Sequence, residues 1–183
     1  MDDILLVGAS QAGDRIAFGS LTDRYYKSIY RFVFRYTGSH HDADEICQET
    51  FLRAFVNIRK LRDGDCFKAW IFMIATNLLR KRVKMFTHEK TLDLENQDSF
   101  VAKLAEDGNT EPFKTISAKE KAMIIHEQLQ QMPERMRLVT ILVLVEGLSQ
   151  KDTAEILKCS ESSVSRYLDM ARKWLKGKLR NLI

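Results

Sequence analysis

Apolar residues recur at helical spacing through most of the chain. Phe18, Leu21, Tyr25, Ile29, Phe32, Val33 and Tyr36 form one stripe, which predicts a long helix over residues 16–37. Gly13 and Asp14 separate it from a short helix over 4–11, and Gly38 supplies a C-terminal stop. Ser39 with Asp42 three positions on starts the next helix, which runs to about residue 58 and buries Ala43, Ile46, Cys47, Thr50 and Ala54. A polar loop over 62–66 leads into a helix from 67 to about 85. Phe67, Trp70, Ile71, Ile74 and Leu78 fall on its core arc, while Phe72, Thr76 and Arg80 fall on the opposite arc. Beyond a segment of mixed polarity, helices are predicted over 118–131 and 135–146, with Pro133 at or near the first position of the second.

The segment from Gly147 onward predicts two short helices and a tight turn. Ser149 caps the first, with Asp152 in a variant of the capping box. Ala154, Ile156 and Leu157 supply its buried side, Lys158 and Cys159 turn the chain, and Ser160 caps the second helix. Val164, Leu168, Ala171 and Leu175 face inward there. That leaves Ser162, Ser163, Ser165, Arg166, Asp169, Arg172 and Lys173 outward. Small polar groups at a helix start with cations behind them suit a helix entering the major groove of DNA. A helical hairpin with a solvated charged face is the competing reading.

The chain has 183 residues, of which 45% are hydrophobic and 30% charged, a globular composition. Two prolines and eight glycines permit long helices. The fold class is therefore all-α: two small helical domains, 1–87 and 118–183, joined by a flexible acidic linker over 88–117, the second domain a helix-turn-helix. The first block holds 14 Lys and Arg against 10 Asp and Glu, the linker 3 against 7, and the second block 12 against 8. Two basic blocks flanking an acidic connector are explained most simply by a polyanion partner for both, the competing reading being that surface charge differences of this size carry no meaning. Three dispersed cysteines, Cys47, Cys66 and Cys159, suggest a reducing cytoplasm, and neither they nor His40 and His41 have metal-site spacing. No metal, cofactor or membrane insertion is expected, and no catalytic constellation can be assembled.

Two faces are unusual. Asp44, Glu45, Gln48 and Glu49 stack on the outward side of the 39–58 helix, an acidic edge on a basic domain. It is either a solvated face or a docking surface for a basic helical partner. On the 67–85 helix an outward Phe72 beside Thr76, Lys68, Asn77 and the run of cations from Arg80 to Lys84 resembles single-strand chemistry, in which bases stack on rings and cations follow phosphates. Alternatively Phe72 packs against the other domain, and the cations only suit the helix C-terminus.

Five stretches carry a resemblance. Ala17 through Phe32, Asp42 through Phe55 and Phe67 through Leu78, followed by Leu129 through Arg137 and Glu146 through Arg172, are similar in order and spacing to the extracytoplasmic-function, or group four, sigma factors of the bacterial sigma-seventy family. The resemblance implies a cytoplasmic protein that binds core RNA polymerase through its β′ clamp and β subunits and directs it to promoter DNA. Asp44, Glu45, Gln48 and Glu49 then match the clamp-docking helix. Arg62, Asp63, Asp65 and Cys66 match the loop that captures a flipped base of the minus-ten element, and Lys68, Trp70, Asn77, Arg80 and Lys81 the part that holds the opened strand. The outward residues from Ser162 to Lys173 match the reader of the minus-thirty-five element. An anti-sigma factor is an expected further partner. The loop departs slightly from the family pattern at Asp63-Gly-Asp65, and the reading helix does so at Ser165, Asp169 and Met170. Asp169 is expected either to accept from a cytosine amino group or to pair with Lys173. A helix-turn-helix regulator that works without polymerase is the alternative function. A linker of thirty residues relaxes to about 30 Å but extends to roughly 100 Å, which brackets the ~70 Å between elements two DNA turns apart.

Overall fold

A computed structural model describes residues 2–62, 64–87 and 118–178. They form eight helices: α1 (Asp3–Gln11), α2 (Arg15–Thr37), α3 (His40–Asn57), α4 (Phe67–Thr87), α5 (Ala118–Gln131), α6 (Glu134–Val139), α7 (Gln150–Leu157) and α8 (Glu161–Lys178). Single 3-10 turns at Ile58–Lys60 and Gly64–Cys66 link α3 to α4, and α6 widens into a π-helical segment, Thr140–Val145. No strand occurs among the described residues. The expected linker over 88–117 lies outside them.

Local chemistry sets the boundaries. The Asp14 carboxylate accepts from the backbone N–H of Ile16 and Ala17 at 2.8 and 3.1 Å, satisfying two donors that a helix start leaves orphaned. Gly38 ends α2 in the left-handed region, at φ 72°, and its N–H donates to the Phe34 carbonyl at 2.8 Å. One residue later the Ser39 hydroxyl accepts from Asp42 N–H and opens α3.

Helices α1 to α4 pack around Leu21, Ile29, Phe32, Phe67 and Ile71, and α5 to α8 around Met136, Leu138, Ile141, Val164 and Leu168. The two cores merge into one cluster, because α4 packs against α7 and α2 against α5 and the π segment. Polar contacts reinforce that junction. Arg35 pairs with the Glu146 carboxylate at 3.0 Å, and Lys68 Nζ donates to the Glu146 carbonyl at 2.6 Å. The Arg137 guanidinium donates to the Tyr36 carbonyl at the end of α2 and to the Gln130 and Met132 carbonyls at the end of α5. A cation there meets the negative ends of two helices at once.

The outward arc expected for Phe72 and Thr76 is corrected by this packing. Both are fully buried, and the Phe72 ring meets Phe32 edge-on with centroids 5.3 Å apart. The reason is that α4 is covered by α2 and α3 and also by α7, so more than half of its circumference is core. Trp70 and Ile74, expected on the core arc, are half-buried instead.

Candidate nucleic-acid interface

The α7–α8 hairpin folds as its capping residues dictate. Ser149 accepts from Asp152 N–H at 3.0 Å and also meets the Asp152 carboxylate at 2.6 Å. Lys158 takes the left-handed conformation at φ 53°, which reverses the chain, and the Cys159 N–H returns to the Ala154 carbonyl at 3.0 Å. Ser160 then caps α8 through Ser163 N–H. Val164, Leu168 and Ala171 are buried against α6 and α7. This fixes the rotation of α8 and leaves Ser162, Ser165, Arg166, Asp169, Arg172 and Lys173 exposed, with Ser163 half-buried. The structure thus brings the expected set onto one face except for Ser163, which turns toward the Ser160 cap. Asp169 pairs with Arg172 at 3.3 Å rather than with Lys173, because the shorter i+3 reach suits an aspartate and an arginine.

The second surface is the outer line of α4. Trp70, Asn77 and Lys81, spaced by seven and four residues, fall on one side. Asn77 and Lys81 are exposed and Trp70 half-buried. Arg80 flanks them, half-buried and close enough to lower the proton affinity of the Tyr36 phenol, which burial raises overall. Lys68 does not join this group. It lies on the opposite side of the helix, held by the Glu146 carbonyl. Arg82 also turns away and pairs with Asp42 at 2.9 Å and Glu45 at 2.7 Å. Upstream, Arg62 and Cys66 are exposed in the loop. Asp63 and the Asp65 side chain lie outside the described residues.

The third surface is the outward face of α3. Asp44, Glu45 and Gln48 are exposed and Glu49 is half-buried, so the expected edge exists. It is not uniform: Glu45 is engaged by Arg82, and Glu49 by Arg53 at 2.6 Å. The same face continues into Leu52, 59% exposed, and Val56, 69% exposed, with Phe55 beside them. Reading the sequence for charge alone missed these. Their signal was spacing, since 52 and 56 follow Gln48 by four and eight residues and carry the outward line on. The Cys47 thiol behind this face is pushed up to about 12 by burial and by Asp44, so it is a core group rather than a thiolate ligand. Among the described residues no cluster of His, Cys, Asp or Glu could hold a metal, and no helix is long and apolar enough to cross a membrane.

Comparison with known proteins gives this arrangement its kinship. Residues 21–85 match the family model for sigma-70 region 2, and residues 122–175 that for sigma-70 region 4. The ECF RNA polymerase sigma factor SigW of Bacillus subtilis is 30% identical over 174 residues, covering 93% of this chain and 92% of that one. The ECF RNA polymerase sigma-E factor of Haemophilus influenzae is 29% identical and spans 100% of this chain and 98% of its own. Among solved structures, CnrH in complex with the cytosolic domain of CnrY superposes with a TM-score of 0.70 at 22% identity, covering 97% of each chain. The sigma factor RpoE of Bartonella quintana, bound to the anti-sigma factor NepR, gives 0.69 at 20% identity over 89% of this chain and 96% of that one. Both family models in their expected order, and full-length relatives of one kind, place this chain in the sigma-70 family as an extracytoplasmic-function RNA polymerase sigma factor.

Proposed function

We propose that three surfaces of this sigma factor divide promoter recognition between them. The outward face of α3 docks on the polymerase β′ clamp, with Asp44 and Gln48 as its open polar groups and Leu52 and Val56 as its apolar ones. The 62–66 loop and the outer line of α4, through Trp70, Asn77, Arg80 and Lys81, take the melted minus-ten strand. The polar face of α8 reads the minus-thirty-five element in the major groove. Residues 1–87 and 118–183 are the two functional units on this reading, and the acidic segment 88–117 spans between them through the polymerase, along its β subunit. The observation that carries the proposal is the exposure of Ser162, Ser165, Arg166, Asp169, Arg172 and Lys173 along one face of α8, on a helix whose opposite side is locked in the core. Single-strand stacking falls to Trp70 rather than Phe72, since only Trp70 reaches the surface.

Run-off transcription with purified core polymerase tests the whole. Promoter-dependent transcripts appear only when this chain is added. Operator binding of equal strength without polymerase would instead favour a stand-alone regulator. Two substitutions test the parts. Asp44→Lys with Gln48→Lys leaves the Glu45–Arg82 and Glu49–Arg53 pairs intact, yet places two cations on the docking face. It is expected to weaken core binding at least about tenfold, chiefly by slowing encounter. Unchanged affinity in a titration with labelled core moves the docking surface elsewhere. Arg166→Ala removes one cation from the reading face, and its expected cost is about 1–3 kcal/mol of discrimination at a single upstream position. Promoter competition assays with base substitutions check it. A uniform loss across all sequences would make Arg166 a phosphate contact.

The solved structure of CnrH contains the cytosolic domain of CnrY, and that of RpoE contains the anti-sigma factor NepR. By that likeness this chain too is held inactive by an anti-sigma factor.

A further inference from the structure

Helix α1 precedes the stretch matched by sigma-70 region 2, which begins at residue 21. Its packing nevertheless converges on one place. The side-chain amide of Gln11, the last residue of α1, donates to the Ile58 carbonyl at 3.0 Å and to the Leu61 carbonyl at 2.6 Å. These two carbonyls bracket the 3-10 turn immediately ahead of the 62–66 loop. Inside the loop, Gly64 sits directly on the first turn of α1. A Cβ placed there would come 2.9 Å from Ile4 Cα, a backbone atom that cannot swing aside. At the loop's exit, Asp3 accepts from the Tyr25 hydroxyl and pairs with Arg24, and the Tyr25 ring packs on Phe67, the first residue of α4, at 5.3 Å. The helix is itself anchored by Leu6 and Val7, both buried.

One short helix therefore touches the entry and the middle of the loop directly and reaches its exit through Tyr25. Flipping a base out of a duplex costs a few kcal/mol, which a loop can offset only if its pocket is already formed. We propose that α1 is a brace that fixes the Gly64–Cys66 turn ahead of α4 for its part in taking the melted strand, with Gln11 as a positioning residue for promoter opening and Gly64 as the point where turn and brace meet. The idea rests on assigning the 62–66 loop to the melted minus-ten element, and adds to it a cause of that loop's shape.

Gln11→Glu replaces the donating amide with a carboxylate facing two carbonyls. Gly64→Ala pushes the loop off α1 from the other side. The full-length chain is assembled with core polymerase from its source organism. The template is a promoter fragment selected from that organism's genomic DNA by run-off transcription. Core binding is followed by titration, and strand opening by permanganate reactivity of the melted thymines. Both variants are expected to bind core as the parent does while opening the promoter about tenfold more slowly, Gln11→Glu through lost hydrogen bonds and Gly64→Ala through the steric push. A merely structural role would lower core binding and opening together, in step with a lower melting temperature. Opening rates equal to the parent's, or a loss of core binding that matches the loss of opening, overturn the brace. Failure of the parent itself to open any promoter would sink the underlying reading of the loop and is seen separately, in the same experiment.

Discussion

Phe72→Ala should destabilise the protein by about 3–5 kcal/mol, the range for emptying a fully buried phenylalanine site. The ring is sealed between helices and contributes an edge-to-face contact with Phe32 on top of its buried area. Its neighbours cannot collapse into the gap, because α2, α3 and α7 fix α4 from several directions. The measurement is the urea midpoint of the full chain, read with its slope so that a change in the denatured state is not mistaken for lost packing. The rival expectation is clear. Were Phe72 a stacking platform for a base, its removal would leave stability within about 0.5 kcal/mol of the parent and subtract 1–3 kcal/mol from single-strand binding instead.

Phe72 also shows where the sequence ran out. A helical wheel assigns one core arc to a helix, and Phe67, Ile71 and Leu78 occupied it, so Phe72 and Thr76 fell outside. The wheel has no knowledge of a second covering surface, and α7 lies some eighty residues further along the chain. Every contact of that kind was illegible for the same reason, the hold of Glu146 on Arg35 and Lys68 included. Features set by neighbours in the chain were legible. Ser39, Ser149 and Ser160 cap the helices as their side chains dictate, Gly38 and Lys158 turn where expected, and the outward side of α8 carries the expected residues apart from half-buried Ser163. The π-helical turn was hidden for yet another reason. Residues 138–145 are almost uniformly apolar, so no periodicity distinguishes one helical register from the next.

Glu146→Arg should separate the two helical modules. Glu146 carries only 9% exposure of its side chain and sits among Arg35, Lys68 and Arg31. Burial raises its proton affinity above that of an ordinary glutamate, and the three cations offset only part of this. The carboxylate is thus a compensated charge rather than a source of net stability, as is usual for buried pairs. A raised value means that the packed state binds the proton more tightly than the separated one. Closure therefore strengthens as pH falls through that value and is weakest with the carboxylate fully ionised. Glu146→Gln should accordingly stay closed at neutral pH and lose this pH dependence. Arginine at the same place adds a cation to three others with no partner. Uncompensated buried charge costs about 3–5 kcal/mol, and Arg35, a third exposed, holds the effect to the lower part of that range. Small-angle scattering reads the outcome, since one merged body of this length has a radius of gyration near 16 Å and two separated modules a larger one. Pairing the change with Arg35→Glu should recover part of the closure. A radius that Glu146→Arg leaves unmoved would mean that the apolar contact of α4 with α7 holds the modules together alone. On the proposed division of promoter recognition, reading elements ~70 Å apart requires that same separation, since a merged body of this size cannot span the distance. On that reading the whole junction, the apolar contact of α4 with α7 together with the polar contacts, sets how much binding energy polymerase and DNA must supply to open it.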